Sequence, residues 1–176
     1  MENSISTRVY KFILPDGHIL DIVPCVIKEL IQHQQIRAES VESGGFLLGY
    51  EDRITRNITI DHITCPKERD EQRRNKYVLR SNGHASEVLA MAKQKSYYLG
   101  NWHTHPSLTP SPSSTDMSTW AYALNHDTSA GRYLIFLILG TGTFRVWVAD
   151  SVSRYIVELN EAERKEELYV LRDTEN

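Results

Sequence analysis

Residues 96–126 read SYYLGNWHTHPSLTPSPSSTDMSTWAYALNH, and three kinds of structure follow one another within them. SYYLGNWHTH (96–105) reads as a strand. A segment dense in Pro, Ser and Thr ends it, with Pro106, Pro110 and Pro112 stiffening the backbone. Met117, Trp120, Ala121 and Leu124 then recur at i, i+3, i+4, i+7, which predicts a helix over 114–126. Upstream, alternating apolar residues flank Asp16-Gly17, the pattern of a hairpin over 8–22. Pro24 stands at a first helical position, and Val23, Ile27, Leu30 and Ile31 predict a helix over 24–38. His33 reads as a solvated residue of that helix, among glutamines. GGFLLGYE (44–51) and ITRNITIDHIT (54–64) predict strands joined by a tight turn at Asp52-Arg53, with Ile54, Ile58 and Ile60 on one parity. Residues 66–76 carry eight charges in eleven positions and read as a solvated loop. KYVLRS (76–81) returns to strand character, and Ala85, Val88, Leu89 and Ala92 mark the apolar face of a helix. RYLIFLILG (132–140), TFRVWVAD (143–150) and SRYIVEL (153–159) predict the last strands. Strands and helices alternate without the regularity of a doubly wound fold, so the class is α/β with a mixed sheet.

With 176 residues the chain has room for one ordinary domain, which buries enough surface to fold without a disulfide or metal staple. Its 40% hydrophobic and 24% charged residues exclude a disordered chain. A net charge of −3 offers no electrostatic argument for nucleic acid. Cys25 and Cys65 form neither a disulfide framework nor a CxxC knuckle, and read as two reduced thiols. The N-terminus has no basic start followed by an apolar run, and the longest apolar run, residues 133–139, falls short of the roughly 20 residues that span a bilayer. The expectation is a soluble, cytoplasmic protein that binds neither membrane nor nucleic acid.

The chemistry lies in residues 101–120. His103 and His105 are two apart, and on a strand that spacing points both imidazoles to one face, with Trp102 and Thr104 on the other. Paired neutral imidazoles suit a borderline metal such as zinc. Asp116 follows eleven residues later, at the start of a helix, where an ionised carboxylate is favoured. Ser113-x-x-Asp116 is also a capping box, which explains those two residues but not the histidine pair. Two His and one Asp give zinc three protein ligands and leave the fourth position to water, as in catalytic sites. A carboxylate must then move a proton from that water to the leaving amine. Glu42, just before Gly44-Gly45, is one candidate beside Glu39, Asp61 and Glu87.

His103-x-His105, seven residues, Ser113, two residues and Asp116 resemble the full JAMM (MPN+) metalloprotease signature, HxHx7SxxD. Glu42 in ESGGFLLG stands where that family's catalytic glutamate precedes its first core strand, and the resemblance covers about residues 8–158. It implies a single JAMM/MPN-like domain over 1–160, with a mixed, mostly antiparallel sheet flanked by about three helices and a charged tail over 161–176. It implies that His103, His105 and Asp116 bind one zinc per chain. It implies that Glu42 is the general base toward the zinc-bound water and that Ser113 stabilises the oxyanion.

GNWHTHP, PSPSSTD and ESGG most resemble the short prokaryotic members, among them the group encoded beside E1-like and E2-like enzymes in anti-phage operons, including CBASS systems. That resemblance implies an isopeptidase or peptidase cutting after the C-terminus of a conjugated protein, a nucleotidyltransferase or a ubiquitin-like modifier. The alternatives are a JAMM peptidase trimming a sulfur-carrier tail or small peptide, and a RadC-like protein of DNA repair. The latter family carries an N-terminal helical region, whereas this chain opens on strands. A module that binds a modified protein without cutting it is disfavoured by an intact Glu42.

Overall fold

The computed structural model describes residues 5–162. β1 (Tyr10–Ile13) and β2 (Ile19–Ile22) form the expected hairpin, and Gly17 supplies the positive φ of 85° that its turn needs. Helix α1 (Pro24–Ile31) starts at its proline and buries Val26, Ile27 and Leu30. It stops well before residue 38 because the glutamines that follow are drawn inward. Gln34 donates to the Gly140 carbonyl at 2.8 Å, and Gln35 donates to the Arg74 carbonyl at 2.9 Å while accepting from the Thr104 hydroxyl at 3.0 Å. His33 is correspondingly not a solvated helical residue; its ring packs against Trp102, with centroids 5.3 Å apart.

β3 (Gly44–Glu51) and β4 (Ile58–Ile63) are longer apart than a two-residue turn allows. Asp52 accepts from the N–H groups of Ile54 and Thr55 and stabilises a wider loop. Ile54 is therefore 92% exposed, while Ile58 and Ile60 are buried. β7 (Tyr97–Thr104), β8 (Tyr133–Leu139), β9 (Phe144–Asp150) and β10 (Ile156–Glu158) follow the expected segments. The eight strands are ordered β1-β2-β4-β3-β7-β8-β9-β10, antiparallel except for β2/β4 and β7/β8. The sheet curls until its ends meet: Ile13 N–H bonds the Asn160 carbonyl at 3.2 Å, and Ala162 N–H bonds that of Lys11 at 2.8 Å. Only Glu161 and Ala162 of the charged tail belong to the described residues, and Glu161 bridges Phe12.

The core has two layers. Inside the curl, Leu20, Ile22, Leu47, Ile60, Trp102, Ile135, Leu137 and Val146 pack with α1. On the other face of β8 and β9, Leu134, Phe136, Ile138 and Trp147 pack under Trp120 of helix α3 (Ser114–His126). β8 is thus buried on both faces, which is why its sequence is an unbroken apolar run. On α3 the inward face is Asp116, Trp120, Ala123 and Leu124; Met117 and Ala121, placed on that face by periodicity, are exposed. Helix α2 (Gly83–Ala92) departs further. Its buried residue is His84, and Ala85 and Leu89 face outward, so a polar anchor rather than an apolar stripe seats it. No helix among the described residues is long and apolar enough to cross a membrane.

That anchor also corrects the reading of residues 66–76 as a solvated loop. β5 (Glu71–Arg73) and β6 (Lys76–Val78) form a small antiparallel hairpin there. Asp70, buried at its base, accepts from the N–H groups of Lys67, Arg80 and Ser81, from the Tyr77 hydroxyl at 2.8 Å and from His84 Nε2 at 2.6 Å. His84 Nδ1 in turn meets the Thr64 hydroxyl at 2.7 Å, which accepts from Phe46 N–H. Burial by itself raises the Asp70 carboxyl, but His84 and the three backbone donors more than reverse this and hold it far below its usual range. A depressed carboxyl contributes stability that is present above the unfolded value, about 4, and is lost as pH falls below it. We expect Asp70→Asn to cost about 1–3 kcal/mol at neutral pH, the cost of leaving buried donors unpaired. The variant should also show a flatter loss of stability in acid than the wild type, measured by urea titration from pH 7 to 3.

Candidate active site

His103 is the penultimate residue of β7, and His105 follows its end. Trp102 and Thr104 point inward, 1% and 0% exposed, and His103 and His105 project from the opposite face with ring centroids 4.9 Å apart. The parity argument thus holds through residue 105. The proline-rich segment then returns the chain to the start of α3. There Ser113 and Asp116 form the full capping box: Asp116 Oδ2 accepts from Ser113 N–H at 2.6 Å and from its hydroxyl at 2.7 Å, while Ser113 Oγ accepts from Asp116 N–H at 3.1 Å. Capping and convergence are not rivals here. The box fixes the rotamer that turns Asp116 toward the imidazoles.

His103 Nε2 and His105 Nε2 lie 3.1 Å apart, with Asp116 Oδ1 at 3.3 Å from the first and Asp116 Oδ2 at 3.5 Å from the second. Ligands at the usual zinc distances of about 2.0–2.1 Å in a tetrahedron are separated by about 3.3 Å. The donor set and its spacing therefore fit zinc.

Glu42 reaches this point through sheet register. Gly44 pairs with His103 across β3 and β7, and Thr104 N–H bonds the Ser43 carbonyl at 2.9 Å, which draws the preceding residue beside the histidines. The approach needs glycine: a Cβ on Gly45 would lie 1.9 Å from the Thr64 carbonyl oxygen, and one on Gly44 2.7 Å from that of Trp102. Glu42 is 8% exposed, and one carboxylate oxygen lies within 4.8 Å of a nitrogen of each imidazole. Of the other carboxylates considered, Asp61 bonds Ser96, and Glu87 bonds His62 and Lys67. Glu39 is exposed and does not join the cluster.

The environment drives the two site carboxylates in opposite directions. Burial raises Glu42, against the pull of the two imidazoles. Burial also acts on Asp116, but both imidazoles and Ser113 outweigh it and hold that carboxyl far below its usual range. His105 is raised, first by its contact with Asp116, and the Ser111 backbone also bonds its ring. An open cleft of about 500 Å³ runs past the site, walled by Asn75, Lys76 and Tyr77 of the β5–β6 hairpin and by Pro106 and Thr115. The hairpin wall is what the reading of a solvated loop missed. Tyr77, the one aromatic residue beside that charged run, was its sequence signal.

A family model described as prokaryotic homologs of the JAB domain matches residues 25–151. The chain belongs to that JAB family. Three curated relatives carry the name CD-NTase/cGAS isopeptidase. The protein from Escherichia coli (strain TW11681) is 30% identical over 147 residues, 82% of this chain and 88% of the relative. That from Vibrio cholerae serotype O1 is 30% identical over 122 residues, 68% of this chain and 74% of the relative. The JAB fold is shared with a solution structure from Desulfitobacterium hafniense, with a TM-score of 0.54 and 17% identity over 81% of this chain and 88% of that one. Glu42, His105, Ser113 and Asp116 line the cleft, with His103 beside His105 and Asp116.

Proposed function

We propose that this JAB domain is a zinc-dependent isopeptidase that releases a protein conjugated through its C-terminus, cutting directly after the terminal residue. The observation that carries the reading is the convergence of His103, His105, Asp116 and Glu42 beside an open cleft. His103, His105 and Asp116 would hold the metal. Zinc bound there acidifies a water molecule and polarises the scissile carbonyl. Glu42, close to the ligands but on a separate element, accepts the proton and passes it to the leaving amine. The cleft suits an extended tail whose backbone pairs with a strand edge, the mode by which flexible termini are read without a deep pocket. The relatives named CD-NTase/cGAS isopeptidase support a conjugated nucleotidyltransferase as the substrate. The same reading places the protein in the cytoplasm, in an anti-phage operon with E1-like and E2-like enzymes.

Ser113 would donate to the developing oxyanion, for which it must turn its proton away from Asp116 Oδ2. Ser113→Ala should lower stability by about 1 kcal/mol through the lost N-cap and turnover by about 10²–10³-fold, with zinc retained. A lowered melting temperature with intact turnover would leave the residue only its capping role.

The substrate is tested by co-expressing the chain with E1-like and E2-like enzymes and a conjugated nucleotidyltransferase, and following high-mass conjugates on a gel. Conjugates should disappear with the intact protein and accumulate with Glu42→Gln. Equal persistence with both proteins, while a small peptide is hydrolysed, would replace the deconjugase with a small-substrate peptidase.

A further inference from the structure

A second cluster of ligating side chains lies behind β7, on the side occupied by Trp102. Glu29 of α1 and His33 in the turn after it are one helical turn apart, and Cys65 follows the end of β4. The Cys65 thiol donates to Glu29 Oε1 at 3.3 Å, and His33 Nε2 lies 4.0 Å from the same oxygen. One donor atom from each of the three lies within 4.8 Å of the other two. His33 Nε2 is shut from solvent and has no hydrogen-bond partner among the described residues, at a ring held in place by Trp102. A buried ring nitrogen left unpaired requires an explanation, and an ion is one of the few that fits. Glu29 at 4.0 Å is beyond bonding reach but within reach of a shared cation.

The donor set selects the ion. Thiolate, imidazole and one carboxylate suit zinc and similar borderline metals, whereas calcium and magnesium take oxygen ligands. Access is provided by an open pocket of about 450 Å³ lined by Glu29 and Cys65 together with Asp61 and His62. We propose that Glu29, His33 and Cys65 form a second metal site that takes one zinc-like divalent cation. Binding forms a sulfur–metal bond and releases the Cys65 thiol proton to solvent. Three protein ligands leave a position open to water, and the ion ties α1 to the end of β4 directly behind the strand that carries His103. The site is independent of the isopeptidase reading, since it shares no residue with it.

Cobalt(II) distinguishes the two centres, because a thiolate ligand gives a near-ultraviolet charge-transfer band and the His103, His105 and Asp116 set contains none. The full chain, reduced and loaded with cobalt, should show that band and bind one equivalent more than the His103 cluster accounts for. Cys65→Ser should abolish the band and the extra equivalent. Cys25→Ser and His103→Ala should retain both. His33→Gln keeps a polar side chain and should weaken this cobalt site at least about 10-fold, the loss typical of even outer ligand-sphere changes. It serves as the test if Cys65→Ser fails to fold. Folded wild-type protein without the band, or a band that follows Cys25 instead of Cys65, overturns the proposal.

Discussion

Glu42→Gln should retain the full zinc content of the wild type and lose about 10²–10⁴-fold in turnover, the usual contribution of a positioned proton-transfer group. The amide keeps the shape of the carboxylate but exchanges one acceptor oxygen for an NH2 donor and cannot accept a proton. Glu42 lies 8% exposed beside both imidazoles, yet it is carried by the segment before β3, whereas the proposed ligands lie on β7 (His103), just after it (His105) and on α3 (Asp116). Its removal therefore should not disturb the spacing of the other three groups. Elemental analysis and single-turnover cleavage of a conjugate provide the two readouts. Loss of metal together with activity would make Glu42 a ligand, and full activity would pass the proton-transfer role to another group.

His103→Ala should release the zinc held by the histidine pair and abolish turnover, while the chain stays folded. Losing a direct ligand should exceed the about 10–100-fold drop in affinity that follows outer-sphere changes. Zinc at about 100 times its Kd at this centre should stabilise the wild type by about 2.7 kcal/mol, and the variant should lose that increment. The fold itself does not depend on the ion. Both core layers are built of aliphatic and aromatic side chains, and the Asp70–His84 network contains none of the proposed ligands. A chelator should therefore stop cleavage without removing the far-ultraviolet circular dichroism of the folded state. Unfolding on chelation would contradict this, as would zinc stoichiometry unchanged after both histidines are replaced.

Local pattern determined much of the molecule. The hairpin at Asp16-Gly17, the 114–126 helix with its Ser113 cap, and the histidine pair on one face of a strand depend on turn chemistry, capping and a period of two. Each acts over a few residues, so the sequence alone carries it. The three proposed metal ligands fall within fourteen consecutive positions, 103–116, for the same reason. What lay beyond local pattern was decided by long-range pairing. Four carboxylates were equivalent by sequence until the register of Gly44 against His103 brought Glu42 alone to the imidazoles. Residues 66–76 resemble a solvated run because their charges are local. The Asp70 side chain is nevertheless buried, since the Tyr77 hydroxyl, His84 and the N–H groups of Lys67, Arg80 and Ser81 meet its carboxylate as the chain folds back on itself. Helix α1 ends at Ile31 because Gln34 and Gln35 bond loops distant in sequence, and the same turn folds His33 back onto Trp102. A polar side chain reads as exposed until its partners are known, and those partners exist only once the sheet has curled and closed.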